Sequence, residues 1–207
     1  MSARETTRFL LLNYMKMAAQ DLQGVANVLQ RPRPTDARFP RSVYKHEGGD
    51  RLMEFVALPE LSGLGELLGD ASWRETEALV RPWLAVDFRR QVHALRDVVK
   101  PPASPVPSKD NLQLSRAEIA PQKLDEYHAW RRDSFFPHVH SQAHVEAFTA
   151  YHSVVSTEPG ALLLAEFSCP LEKHLESLKA PAYQELTSLA TSRFVLGAVA
   201  TSNWMRL

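Results

Sequence analysis

Four prolines fall within seven residues of Lys100-Pro-Pro-Ala-Ser-Pro-Val-Pro-Ser108, close to the midpoint of a 207-residue chain. Each proline fixes φ and removes a backbone donor, so neither a helix nor a central strand crosses the segment. Residues 101–110 are therefore expected to be a stiff, extended linker. A linker that divides a chain almost equally makes an internal repeat the first property to test. Short strings recur in the same order on its two sides. Ala18-Ala-Gln-Asp-Leu22 returns as Ala120-Pro-Gln-Lys-Leu124, Leu52-Met-Glu-Phe55 as Leu164-Ala-Glu-Phe167, Trp73-Arg-Glu75 as Tyr183-Gln-Glu185, and Arg90-Gln-Val92 as Arg193-Phe-Val195. The offsets drift between 102 and 112 residues while the order holds, as loop insertions in a duplicated unit would produce.

Each half reads as the same string of elements. Residues 8–17 form an apolar run of strand length, and Leu22, Val25, Ala26 and Leu29 share one face of a helix over 21–29. Arg31-Pro-Arg-Pro34 stops that helix. Strands over 42–46 and 51–58 flank the turn Glu47-Gly-Gly-Asp50, helices follow over 61–68 and 73–84, and 91–99 closes as a strand. In the second half the strands fall at 111–119, 145–155, 161–167 and 193–203, with a turn at Thr157-Glu-Pro-Gly160. Helices lie over 122–136, 171–178 and 183–190. The expected fold is α+β: two tandem ferredoxin-like βαββαβ repeats, residues 1–100 and 111–207, packed sheet to sheet as an intrachain barrel. Two such sheets cover each other's open faces and can enclose a chamber for an apolar small molecule.

Composition excludes several function classes. Lys+Arg and Asp+Glu both number 24, and residues 1–100 hold 15 basic and 13 acidic ones, so no basic arm gathers nucleic acid or anionic lipid. Cys169 is the single cysteine, which rules out a disulfide within the chain. The apolar run after Arg8 is interrupted by Asn13, too short and too polar for a signal peptide or a membrane span, and the expected location is cytoplasmic. No glycine-rich phosphate loop, Gly-x-Ser-x-Gly elbow or Cys-x-x-Cys pair is present. The expected partner is a small apolar molecule, with a homodimer left open, no nucleic acid and no membrane.

Within this frame, Tyr127-His-Ala-Trp130 running into Phe135-Phe-Pro-His138, the strand Leu164-Ala-Glu-Phe167 and Ala180-Pro-Ala-Tyr183 resemble the dimeric α/β-barrel superfamily. The resemblance is closest to its EthD-like and NIPSNAP-like groups, where a helix carrying an aromatic and ending near Pro/His precedes the second strand. It implies a family that includes cofactor-independent oxygenases, lyases and cyclases as well as haem-linked enzymes, so it does not choose a reaction. Residues 20–29 lack the Tyr/Trp pair and the terminal His, which directs a family-type site to the second half.

Six of the eight histidines follow residue 127. His138 and His128 are the candidate acid/base groups, because imidazole titrates near neutrality and burial tunes it. Tyr127, Trp130 and Arg131 on the same helix, with Tyr151 on a strand, are the candidate substrate-binding residues. Glu54 and Glu166 match in the repeat; an enclosed carboxylate acts as a general acid or base, whereas one paired with Arg116 or Arg96 is structural. Glu166 is the candidate orienting residue. No metal or other cofactor is required; the alternative is a haem or a divalent metal held by His138, His140, His144 and His152. The four arginines between residues 30 and 41 read as a solvated loop or an anion site, and Cys169 as a weak nucleophile candidate. A continuous cavity of several hundred cubic ångströms touching His138 or His128 would favour an enzyme. A lumen plugged by Tyr, Trp and Leu would favour a non-catalytic binding or assembly protein.

Overall fold

The computed structural model describes residues 7–156 and 160–207. Most of the Thr157-Glu-Pro-Gly160 turn and the first six residues lie outside them. The strands are β1 (Phe9–Lys16), β2 (Arg41–His46), β3 (Arg51–Leu58), β4 (Arg89–Lys100), β5 (Asn111–Ile119), β6 (Ala147–Val155), β7 (Ala161–Phe167) and β8 (Val195–Arg206). The helices are α1 (Leu22–Leu29), α2 (Gly63–Gly69), α3 (Ala71–Val80), α4 (Leu124–Trp130), α5 (Phe136–Ser141), α6 (Leu171–Ser177) and α7 (Pro181–Arg193).

Among the described residues the strands close into one antiparallel barrel in the order β1-β3-β2-β8-β5-β7-β6-β4. The first half contributes β4-β1-β3-β2 and the second β8-β5-β7-β6, so the second and fourth strands lie at the edges of each half. The edges join crosswise. β2 meets β8 through Tyr44↔Arg206, Lys45↔Met205 and His46↔Trp204. β4 meets β6 along Val92–Lys100, with three register shifts. The chamber expected between two facing sheets is thus the interior of one continuous, hydrogen-bonded wall, which leaves no free sheet edge at either seam's paired stretch.

Side-chain alternation divides inside from outside. Leu10 and Leu12 of β1, Met53, Phe55 and Ala57 of β3, Leu112 and Leu114 of β5, and Leu162 and Leu164 of β7 form one buried cluster with Tyr44, Tyr151 and Trp204. These residues come from both halves and fill the lumen. Val106 of the linker joins them. The Tyr44 hydroxyl donates to the Lys109 carbonyl at 2.7 Å, and the Ser108 and Lys109 amides donate to Glu166 at 2.7 and 3.2 Å. The proline-rich segment is therefore a stopper for one barrel mouth as well as a tether.

The helices cover the outside. In the first half, Leu11, Val56, Leu58 and Val92 pack against Phe39, Leu67 and Trp73, while Met15, Val43 and Leu52 pack against Val25, Ala26, Leu29 and Val80. The segment 30–41 is not a solvated loop throughout. Arg33 and Arg41 are drawn onto Glu54, at 3.0 and 3.5 Å, and Arg41 also pairs with Asp36 at 2.6 Å. Two helices differ from their expected extents for the same reason. The expected helix over 73–84 ends as α-helix at Val80, because Pro82 has no N–H to offer the Ala78 carbonyl. The helix expected over 122–136 widens into a π turn at Arg131–Phe135 and continues as α5, whose second residue is Pro137. Pro137 likewise withholds a donor from the Asp133 carbonyl, and the π turn absorbs the mismatch.

Candidate functional site

The outer face of the second half is built from small side chains. Ser115 and Ala117 of β5 lie opposite Leu163 and Ala161 of β7, and Gln113 opposite Ala165. At the corresponding outward positions of β1 and β3 the first half carries the larger Leu11, Met15, Leu52, Val56 and Leu58, with the paired Asn13 and Glu54 between them. Alanine and serine cannot reach the helices above them, and a cavity of about 100 Å³ remains between this sheet and α4, α5, α6 and α7. Its walls are mostly apolar: Trp130, Phe135, Val139, Phe148 and Leu163 with Tyr183. Val195 and Val199 complete the rim from β8, where the register with β5 slips between Arg116↔Ala200 and Glu118↔Leu196. Gly197 sits in that slip at φ +81°, a conformation that disfavours a Cβ.

The aromatic wall is a stack. Trp130 lies between Tyr127, at 5.9 Å and 25°, and Phe135, at 5.6 Å and 20°. The Trp130 indole N–H is buried with no hydrogen-bond partner among the described residues. His138 stands on α5, half-buried, with its ring 6.0 Å from that of Tyr183 and its Nε2 3.4 Å from Gln142 Nε2.

Opposite them is a pair that the sequence reading passed over. His144 Nε2 lies 3.1 Å from His174 Nδ1 and 3.2 Å from Ser177 Oγ. The Ser177 hydroxyl spends its proton on the His174 carbonyl at 2.7 Å, so its oxygen can only accept from His144. With the serine proton on that carbonyl, His144 carries its own proton on Nε2 and shares it between Ser177 Oγ and His174 Nδ1. That assignment, made from the hydrogen-bond network, leaves the neutral His174 with its proton on Nε2. His174 is 2% exposed, stacks on Phe167 at 4.1 Å, and its Nε2 has no partner among the described residues. Burial, with the nearby His144 adding to it, lowers His174 to about 4 and keeps it uncharged at neutral pH. Burial also lowers His144, helped by Lys173 and Lys100. The Lys100 ammonium donates to the Gln142 and Val145 carbonyls at 2.6 and 2.8 Å, so the last residue of the first half's sheet holds the loop that carries His144.

The structure brings together His138, Tyr127 and Trp130, which line the cavity with His144 of the alternative ligand set, and leaves His128, Arg131, Tyr151 and Glu166 out of the lining. His128 faces away from it, towards Arg131, Asp97 and His152, and is lowered by burial first and Arg131 second. Arg131 is a buried tie rather than a free binding group: it pairs with Asp97 of β4 at 2.8 Å and stacks over Tyr127 and Phe136. Tyr151 points into the filled lumen, where burial pushes its hydroxyl up to about 12. Glu166 also points inward, at the mouth stoppered by the linker. Its partners are backbone amides, not Arg116 or Arg96, and burial raises it despite them. Glu54 points outward to Arg33, Arg41 and the Asn13 amide. The alternative ligand set does not assemble: His140 is exposed, His152 lies against Gly160, and among the described residues no group of three His, Cys, Asp or Glu could hold a metal. Missed altogether were His174, Ser177 and the small residues of β5 and β7. Ala and Ser at alternate positions of two paired strands were the available signal.

No family model and no curated protein sequence matches the chain. Solved structures do. An anthrone oxidase-like protein superposes with a TM-score of 0.70 at 13% identity, over 98% of this chain and 92% of that one. A monooxygenase-like protein from Listeria innocua gives 0.55 at 7% identity, over 97% and 95%. The chain has the fold of the dimeric α/β barrels. A haem-binding protein from Thermus thermophilus shares it as well, with a TM-score of 0.60 at 11% identity, over 97% and 92%.

The residues of this barrel do not fit a haem. The cavity, at about 100 Å³, is below the several hundred that drug-sized ligands occupy, and no lysine lines it. Arg116, part of the lining where the β5–β8 register slips, is the cavity's one cation among the described residues, and its charge also reaches His93. His174, the buried imidazole, offers a protonated nitrogen to the cavity instead of a lone pair.

Proposed function

We propose that the protein binds a small, largely apolar, aromatic molecule in the second-half cavity and, as an enzyme, acts on it by cofactor-independent oxygenase, lyase or cyclase chemistry. In this reading His138 moves the proton, and Tyr127 and Trp130 hold the substrate ring. The carrying observation is the cavity itself, with an imidazole in an aromatic wall, at the place where apolar side chains and the Arg33–Glu54 pair leave the first half only about 10 Å³. The same reading takes residues 1–100 and 111–207 as two ferredoxin-like copies from a tandem doubling, akin to EthD-like and NIPSNAP-like proteins, of which only the second kept a site. It places the protein in the cytoplasm, where the free thiol of Cys169 stays reduced. Among the described residues no helix is long and apolar enough to cross a membrane.

One observation favours a second reading, a non-catalytic binding or assembly protein: the barrel lumen is filled by its own side chains. Two variants separate the readings on ligand captured from the native cell and identified by mass spectrometry. Ala165→Leu fills the cavity from the sheet side and should abolish ligand retention while leaving Tm within a few degrees. His138→Ala should keep the ligand and lose turnover at least about 100-fold. Equal losses of turnover and stability would make His138 structural, and turnover absent in the native chain would favour the binding protein.

A further inference from the structure

Among the described residues the cavity wall carries two ring N–H donors without acceptors, Trp130 Nε1 and His174 Nε2, one cation, Arg116, and no carboxylate. A buried donor left unpaired is destabilising, so each such group in a folded protein calls for an acceptor. The two are not accidents of one helix. Trp130 is locked by rings on both faces and His174 by its stack on Phe167, its bond from His144 and the Ser177 clasp. The tautomer matters most. Were His144 to carry its proton on Nδ1, Ser177 would have to give up the His174 carbonyl and turn its O–H onto His144 Nε2. The serine therefore sets the proton on His144, and His144 sets the proton on His174.

We propose that His174 and Trp130 form a donor pair that recognises an acceptor oxygen, carbonyl or phenolate, on a planar aromatic ligand, with His144 and Ser177 as the positioning residues that fix the His174 tautomer. This rests on the second-half cavity being the binding site, and it names the ligand chemistry there. It sets a specificity rule: oxygen acceptors are taken, bare hydrocarbons of the same shape are taken poorly, and cations are refused, because no carboxylate in the wall offsets a buried positive charge.

Three shape-matched probes, each a benzene ring fused to a five-membered ring, test the rule by calorimetry on the full-length protein: 1-indanone, indane and 1-aminoindane. The ketone should bind at least about tenfold more tightly than indane, and the amine should not bind measurably at pH 7. His174→Phe and, independently, Trp130→Phe keep a ring and remove a donor. Each should bring the ketone to within about threefold of indane on the same variant. Nitrogen-15 NMR of His174 should show the proton on Nε2, with that resonance moving on addition of 1-indanone, and Ser177→Ala should mix the tautomers. Equal binding of ketone and hydrocarbon, or a proton on Nδ1, overturns the donor pair while leaving the cavity as a binding site. Binding of none of the probes overturns both. A haemin absorption band that His174→Phe abolishes would overturn the donor role and the misfit with haem together.

Discussion

Glu54 and Glu166 occupy the same place in two matching strings, yet they face opposite sides of the wall. Met53 and Phe55 point into the lumen on β3, and Leu162, Leu164 and Glu166 do so on β7. The strings Leu52-Met-Glu-Phe55 and Leu164-Ala-Glu-Phe167 are therefore one residue out of step in space, and a one-residue slip exchanges every inside position for an outside one. Letters could match the pair; only pairing register could place it. The consequences differ. Glu54 is 1% exposed and neutralises the buried Arg33, whose charge is disfavoured by burial and favoured by Glu54. Glu54→Gln should cost about 3–5 kcal/mol by urea unfolding, because it strands a buried guanidinium, whereas Glu54→Leu with Arg33→Met should recover most of the loss. A double variant as unstable as the single one would refute that account. Glu166 responds to pH instead. Burial raises its folded value, so its contribution is complete below the usual carboxyl range and is lost as pH rises through the raised value. Both backbone amides bond to one oxygen, Oε2, which the glutamine oxygen can replace. Glu166→Gln should gain stability over the native chain at about pH 8 relative to about pH 4, and a pH-independent difference in Tm would exclude it as the source.

At the scale of elements, the strands were the most legible part. Residues 51–58, 111–119 and 161–167 fall where alternation and turn residues put them, because both sides of the wall bury side chains and each strand carries a long apolar run. The helices were less so. Apolar periodicity located the helix over 122–136 but could not show that Pro137 would open a π turn ahead of it, and that turn is what displaces His138 from the register of Tyr127. The small residues beneath the helices were equally hard to weigh, since alanine is read as filler until its neighbours across the strand are known. The linker is the clearest case of an element doing more than its composition announced. Its prolines hold an extended path that delivers Val106 into the lumen cluster, where it is 5% exposed, and two amides to Glu166. Val106→Ala should therefore cost about 1–3 kcal/mol, the loss of two methyl groups from a packed site. A surface tether would lose under about 0.5 kcal/mol, and unfolding of the two chains in urea decides between them.

For the whole molecule, the decisive fact is that neither half owns the lumen. Residues of β1, β2 and β3 meet residues of β5, β6, β7 and β8 in one cluster, and each seam joins an edge strand of one half to an edge strand of the other. That closure was beyond the sequence, because seam bonds link residues about 160 positions apart on one side and about 50 to 60 on the other, and each edge looks like any strand until its partner is placed. An isolated half would expose the lumen face of its sheet and two unpaired edges, a template for association. The ties across the halves, Arg131 to Asp97 and Lys100 to the Gln142 and Val145 carbonyls, also run beside the cavity, so loosening the barrel disturbs the site. Thermal unfolding should accordingly be a single transition in which calorimetric and van't Hoff enthalpies agree, despite a proline-rich segment at the midpoint that invites a two-domain reading. Intrinsic fluorescence should follow the same curve as far-ultraviolet dichroism, since Trp73 lies under the first half's helices, Trp130 under the second's and Trp204 in the lumen. Two resolved transitions, or a fluorescence midpoint displaced from the dichroic one, would mean that the halves hold their own cores and that the lumen is an interface between them.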